Sequence, residues 1–267
     1  MLTKWPVRLT VRTCGFHPQN RSSILLRATN TTRYIIYMKT YVVYLSGNEF
    51  SVEMTSETIT SLKKFNIEYE LFDGVIGRDG IAILQSFNAN PSIHVSKHDW
   101  TDGTIGCLAS HYLLWQKCSE QDEPFLILEQ DGILLRDPRE LLPDIEKICH
   151  LDAYLPFDSV KTEAEDHFGY YNDMCMKYEE GTVTYPSSSN FYNNNKVTGS
   201  TFRGTYGYII KPEGAKDILD FIDRHGAFPS DRCLSENATH LQRSACTYVR
   251  LNPFFHSLDM QREYSLR

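Results

Sequence analysis

Residues Phe125-Leu126-Ile127-Leu128-Glu129-Gln130-Asp131 constrain this chain more than any other stretch. Four apolar residues run straight into an acid-x-acid triplet, and Gly132 follows. A short apolar run bounded by turn residues predicts a buried strand. The carboxyl tip of that strand then presents two carboxylates. In open α/β sheets, ligands sit just beyond the carboxyl ends of the strands. Two carboxylates there repel each other unless a cation or a proton shares the site. Hard divalent cations take oxygen ligands and bridge protein carboxylates to phosphates. One reading is therefore a metal–diphosphate site of the kind that holds a nucleotide-sugar. The other is a strand closed by a polar turn, and acid-x-acid alone does not separate the two.

The residues upstream sharpen the first reading. Ile105, Leu108, Tyr112 and Trp115 recur at helical spacing within the segment from Gly103 to Trp115. Asp102 or Thr104 is positioned to cap that helix. Glu123-Pro124 then ends it and launches the strand. Helix, turn and acidic tip form one unit. Its residues Gly103-Thr104-Ile105-Gly106-Cys107-Leu108-Ala109-Ser110-His111, followed by Leu128-Glu129-Gln130-Asp131, resemble the signature of glycosyltransferase family 25. There, a Gly-x-x-Gly-Cys-x-x-Ser-His helix precedes a Leu-Glu-Asp-Asp strand end. The family includes bacterial lipooligosaccharide galactosyltransferases and collagen galactosyltransferases.

The resemblance extends over roughly Tyr41 to Leu258 in three patches. Tyr41-Val42-Val43-Tyr44-Leu45 and Tyr69-Glu70-Leu71-Phe72-Asp73-Gly74-Val75 resemble the family's first two strands. The helix and acidic tip form the second patch. Gly204-Thr205-Tyr206-Gly207-Tyr208-Ile209-Ile210-Lys211-Pro212-Glu213-Gly214-Ala215 is similar to its small-residue strand and Gly-Ala helix start. Pro229-Ser230-Asp231 resembles its Pro-x-Asp, and Phe255-His256-Ser257 falls where its last segment would lie. Three departures stand out. Gln130 replaces the middle acid, Leu45-Ser46-Gly47-Asn48 lacks the arginine pair that follows the first strand, and Asp79 to Asp99 has no counterpart.

The resemblance implies an α/β fold: a GT-A-like, Rossmann-type mixed sheet flanked by helices. It implies one domain over 38–267, with a nucleotide-sugar half over about 38–155 and an acceptor half over about 156–267. It also implies a metal-dependent, inverting transfer of galactose or glucose from a UDP-sugar to a hydroxyl of a glycan or other acceptor. On that reading Asp131, with Glu129 nearby and His256 adding an imidazole, holds Mn²⁺ or Mg²⁺. His256 is equally an ordinary strand-end histidine. Asp231 is assigned as the general base, or else as a helix N-cap. Ser110, His111 and Gln130 are assigned to the nucleotide-sugar, although a hydrogen-bonded core role suits His111 as well. Asp73 approaches the nucleoside or is a plain turn residue.

Composition sets outer bounds. With 267 residues, 23% charged and 41% hydrophobic, the chain has the make-up of a globular protein. A net charge of −7 argues against nucleic acid as the main partner, because phosphate-backbone binding needs clustered Lys and Arg. No apolar run approaches a membrane span, and no secretory signal is visible. The seven cysteines are scattered, with no Cys-x-x-Cys. Reduced thiols in a cytoplasmic protein are the expectation. Residues 1–37, rich in Arg, Thr and Asn, read as a flexible or extraneous leader, with a transit peptide as the competing idea. Two other functional classes remain open: a non-catalytic binding module, suggested by Gln130, and a transferase acting on modified DNA bases.

Periodicity and turn signals predict helices over Ser51–Phe65, Pro138–Cys149 and Glu213–Arg224, with Asp137 capping the second. Strands are expected over Ile67–Phe72, Leu151–Leu155 and Tyr206–Ile210. Asp79–Trp100 reads as a loop region with weak strand character. Phe157–Ser200, long, polar and aromatic, reads as an acceptor-binding loop.

Overall fold

A computed structural model describes residues 37–92, 95–151, 205–234, 242–244 and 247–252, with the backbone pairs 183–184, 192–193 and 196–197. The expected leader lies outside the described residues, save Tyr37, as do His256 and most of the expected acceptor loop.

Strand β1 (Lys39–Tyr44) leads through Asn48, whose side chain accepts from Ser51 N, into helix α1 (Glu49–Lys64). Acidic Glu49 in its first turn and Lys63 and Lys64 in its last complement the helix dipole. Strand β2 (Glu70–Asp73) and helix α2 (Asp79–Ser86) follow. Helix α3 (Asp102–Ser119) precedes β3 (Phe125–Glu129) and β4 (Gly132–Leu134). The short strands β5 (Ile148–His150), β6 (Val183–Thr184), β7 (Tyr192–Asn193) and β8 (Lys196–Val197) come next. The chain continues with β9 (Gly207–Ile210), α4 (Pro212–His225), α5 (Ser230–Cys233), β10 (Gln242–Ser244) and β11 (Val249–Leu251).

Among the described residues, seven strands form one mixed sheet in the order β2-β1-β3-β9-β5-β10-β6. β1 lies parallel to both β2 and β3, as expected for strands joined through helices. β9 runs antiparallel between β3 and β5, pairing Ile127 with Tyr208 and Cys149 with Ile209. β4 and β11 make a separate antiparallel pair. The mixed sheet flanked by helices is the expected class of fold.

Alternation along the central strands divides the core. Tyr41, Val43, Phe125, Ile127, Tyr208 and Ile210 face α3 and α4, packing with Leu108, Tyr112, Trp115, Ile218 and Ile222. Val42, Leu126, Leu128, Ile209 and Cys149 face the other way, with Leu62, Leu141, Leu142 and Ile145. Burial on both faces explains why β3 reads as an unbroken apolar run. Among the described residues no helix is long and apolar enough to cross a membrane.

Several boundaries differ from the sequence reading. Thr101, rather than Asp102 or Thr104, caps α3, its Oγ1 accepting from Thr104 N at 3.1 Å. Part of the expected loop over Asp79–Trp100 is helix α2, where Gly80 lies against Ile105 and Ala109 of α3 and Leu84 is buried. Asp137 does cap a helix, accepting from Arg139 N, but only a single 3₁₀ turn over Pro138–Leu141 follows. The chain then extends so that Ile148 and Cys149 can join the sheet as β5, which ends at His150; of the strand expected over Leu151–Leu155 only Leu151 is described, and it lies beyond β5.

One close approach fixes α3 against the sheet. A Cβ on Gly106 would sit 2.4 Å from Val75 O and 2.9 Å from Gly77 N, so only glycine lets the loop after β2 cross the helix there. One turn on, Ser110 Oγ accepts from Val75 N at 2.8 Å and donates to Gly106 O at 2.7 Å. Gly106→Ala is expected to destabilise by about 1–3 kcal/mol. A thermal melt would show this as a fall of about 2–4 °C per kcal/mol, and an unchanged midpoint would refute the clasp.

Burial pushes the Cys118 and Cys233 thiols up to about 12. Because the thiolate is the reactive form, both should resist iodoacetamide at pH 8 in the native protein and label in urea. Mass spectrometry of the two peptides reads this, and equal labelling in both conditions would contradict it.

Candidate functional site

Strand alternation decides where the acid-x-acid triplet points. Phe125 and Ile127 face α3, so Glu129 continues that row; Leu126 and Leu128 face α1, so Gln130 continues the other. Two neighbours in sequence therefore enter different environments.

Glu129 meets a stripe on α3. Cys107, His111 and Trp115 recur every four residues and share one face of that helix. His111 Nε2 lies 3.2 Å from Glu129 Oε1, and Cys107 Sγ lies 3.9 Å from the same oxygen. Thr205, just before β9, donates its hydroxyl to that oxygen too. Behind His111 stands Tyr208, its hydroxyl 2.8 Å from His111 Nδ1 and 2.9 Å from Trp115 Nε1. An indole nitrogen only donates, so Tyr208 accepts from Trp115. Burial holds the Tyr208 phenol well above its usual pKa, so it keeps its proton. That proton is directed at His111 Nδ1, which leaves Nε2–H to donate to Glu129. The relay Trp115–Tyr208–His111–Glu129 thus fixes one imidazole tautomer and orients one carboxylate. His111 is fully buried, whereas the Glu129 side chain keeps 12% exposure at the tip.

The other expected site residues fall around this centre in distinct ways. Gln130 is buried on the α1 side, where Ser51 donates to its amide oxygen and Thr58 Oγ1 donates to its main-chain oxygen at 2.7 Å. Asp131 is buried past the tip, its carbonyl accepting from Asn252 N at 2.8 Å. Ser110 is turned from Glu129 and engaged by the loop after β2. Asp73 ends β2, opposite Tyr44 of β1, and accepts from Ser46 N at 2.9 Å and Ser46 Oγ at 2.6 Å. It therefore ties together the loops after β1 and β2 at the same edge of the sheet as Glu129. Asp231 lies in the first turn of α5; Pro229 occupies the cap position, so Asp231 is not the N-cap. The preceding residue, Ser230, places its hydroxyl 3.1 Å from Cys107 Sγ, which sets α5 beside the Glu129 cluster. His256 lies outside the described residues.

Cys107, Thr205, Tyr208 and Ser230 had no assigned role in the sequence reading. The i, i+4 spacing of Cys107 and His111 carried a signal for the first. Thr205 and Tyr208 reach the site only through the antiparallel β3–β9 pairing, which has no local signature.

For a hard divalent cation, the donor chemistry fits in kind: Glu129 and Asp131 supply carboxylates one residue apart at a strand end. Gln130 adds no ligand there, since its amide oxygen is held by Ser51.

Residues 37–234 match the family model described as glycosyltransferase family 25 (LPS biosynthesis protein). The match contains the α3 stripe, the acidic tip and Asp231. Over 167 residues the chain is 34% identical to the lipooligosaccharide biosynthesis protein lic2B of Haemophilus influenzae, covering 59% of this chain and 54% of the relative. Over 135 residues it is 28% identical to the lipooligosaccharide biosynthesis protein lex-1 of Haemophilus influenzae, covering 51% and 41%. A glycosyltransferase 25 family member from Aedes aegypti is 25% identical over 192 residues, covering 67% and 28%. The chain spans about half the length of the two bacterial relatives.

Tyr208→Phe would leave the buried Trp115 N–H and His111 Nδ1 without their shared partner. The expected cost is about 1–3 kcal/mol, read as a lower urea midpoint with an unchanged slope. A midpoint equal to that of the unaltered protein would show that the hydroxyl does not hold the relay.

Proposed function

We infer the activity from one premise: this chain belongs to glycosyltransferase family 25. It transfers a hexose, galactose or glucose, from a UDP-sugar to a hydroxyl of a glycan in the assembly of a lipopolysaccharide-type surface carbohydrate. The observation that carries this reading is Glu129, held by His111 and Thr205 at the carboxyl tip of a central strand. That edge is where an open α/β sheet receives its ligand.

Each residue has a part. Asp73, tied to Ser46, shapes the edge of the sheet that faces the nucleoside. Mn²⁺ or Mg²⁺, held by Glu129 and Asp131, would offset the charge of the diphosphate leaving group. His111 keeps the Glu129 carboxylate in one orientation, so the site is organised before donor arrives. Ser110 acts at one remove, holding the loop after β2 against α3. Asp231 takes the proton of the acceptor hydroxyl. The acceptor oxygen bonds to the anomeric carbon on the face opposite the diphosphate. The anomeric carbon–oxygen bond to the diphosphate breaks in the same step, and the nucleoside diphosphate departs with the electron pair, inverting the anomeric configuration. Placement of α5 against Cys107 of α3 supports this role for Asp231.

Gln130 is compatible with catalysis on this reading. Its side chain serves the packing of α1 through Ser51, so the missing middle charge removes no ligand from the tip. A binding module that has lost catalysis is the second reading, and Gln130 was its main support.

Donor turnover across a panel of nucleotide-sugars with Mn²⁺ tests the proposal. Asp131→Asn and Glu129→Gln should each lower kcat/KM by roughly 100-fold or more. Asp231→Asn should lower transfer by about 10²- to 10⁴-fold while donor affinity holds. Turnover untouched by Asp131→Asn would remove the role given to the acidic tip.

A further inference from the structure

Cys107, His111 and Glu129 bring a thiol, an imidazole and a carboxylate together in one buried cluster. Their donor atoms all lie within 4.8 Å of one another. The nitrogen–oxygen separation is 3.2 Å and the sulfur–oxygen separation 3.9 Å. A tetrahedral ion with bonds of about 2.0–2.3 Å needs its ligands about 3.3–3.8 Å apart, so only small side-chain movements close this set around an ion. We propose that Cys107, His111 and Glu129 form a binding site for a borderline divalent cation such as Zn²⁺, a donor set chemically distinct from the all-oxygen pair proposed for Mn²⁺ or Mg²⁺, with which it shares Glu129.

Three features support the assignment. First, the donor set is mixed. Thiolate and imidazole favour zinc-like ions, whereas magnesium and manganese favour carboxylate and water. Second, the histidine is already oriented. Tyr208 sits 2.8 Å from His111 Nδ1, the position from which an outer partner aligns a metal-bound imidazole. Third, the geometry is built by rigid elements: two ligands come from one helix face at i and i+4, and the third from the end of a fully buried strand. Thr205 lines the remaining side, 3.8 Å from Cys107 Sγ.

The protons balance simply. Binding displaces the Cys107 thiol proton to solvent. The imidazole N–H passes from Nε2 to Nδ1, where it donates to the Tyr208 oxygen; the Tyr208 O–H, which pointed at Nδ1 in the empty site, rotates away from it, and Nε2 turns its lone pair to the ion. Glu129 binds as a carboxylate. One proton is released for each ion bound.

Cobalt(II) provides the test, because a thiolate–Co²⁺ bond absorbs in the near ultraviolet by charge transfer. The full chain, stripped with a chelator, is titrated with Co²⁺. One equivalent should develop the charge-transfer band and release roughly one proton per ion. Zn²⁺ should abolish the band at about one equivalent, whereas Mg²⁺, which competes only for the shared Glu129, should weaken it only at far higher concentration. Cys107→Ser, with its fold checked by near-ultraviolet circular dichroism, should lose the band. Tyr208→Phe should weaken Co²⁺ binding about 10- to 100-fold. Asp131→Asn should keep the band, although the activity proposed above predicts that it loses turnover, so the two ideas fail separately. No band in the unaltered chain, or a band that survives Cys107→Ser, overturns the proposal.

Discussion

Glu129 carries a charge at the end of a strand whose preceding four side chains are fully buried. A carboxylate in such a place is costly unless donors compensate it, and much of the surrounding architecture supplies those donors. The α3 stripe brings His111 and Cys107, and the start of β9 brings Thr205. Because β9 runs antiparallel to β3, its first residues arrive at the carboxyl end of β3. An all-parallel neighbour would have delivered its last residues there instead. The reversal of one strand is therefore what places a hydroxyl and a phenol around this acid.

The two helices beside β3 hold the tip by different means. α3 is pressed close through Gly106 and Ser110, which clasp the loop after β2. α1 reaches the tip through Ser51 and Thr58, which engage the side chain and main chain of Gln130. Ser51 also accepts from Leu45 N at 2.7 Å, linking the end of β1 to the same point. The tips of β1, β2 and β3 are thus cross-braced by short polar side chains, and a ligand at this edge would meet a preformed surface. Preorganisation of that kind is where enzymes gain most of their electrostatic stabilisation.

Local signals made part of this visible in the sequence. The β3 run and the α3 period were legible because each is long, strongly apolar and bounded by clear breakers. α2 escaped because it spans only eight residues and hides its glycine against α3. The helix expected after Pro138 had a true cap and a true first turn, but the demand of the sheet for Ile148 and Cys149 overrode local preference. Of the site, the acidic tip and His111 were readable from residue type and position. The split of Glu129 and Gln130 onto opposite faces was implicit in strand alternation. Tyr208 was not readable, since its approach to His111 depends on a pairing between residues 81 positions apart (Ile127 with Tyr208).

The sheet also has a margin. Among the described residues β2 lies at one end of the strand order and offers only four residues, of which Glu70 and Asp73 are acids. Lys117 approaches Glu70 from α3 at 3.8 Å. An unpaired strand margin is a template on which other chains polymerise, and brevity and charge are the usual deterrents. A margin this short and this charged guards the sheet against fibrous self-association.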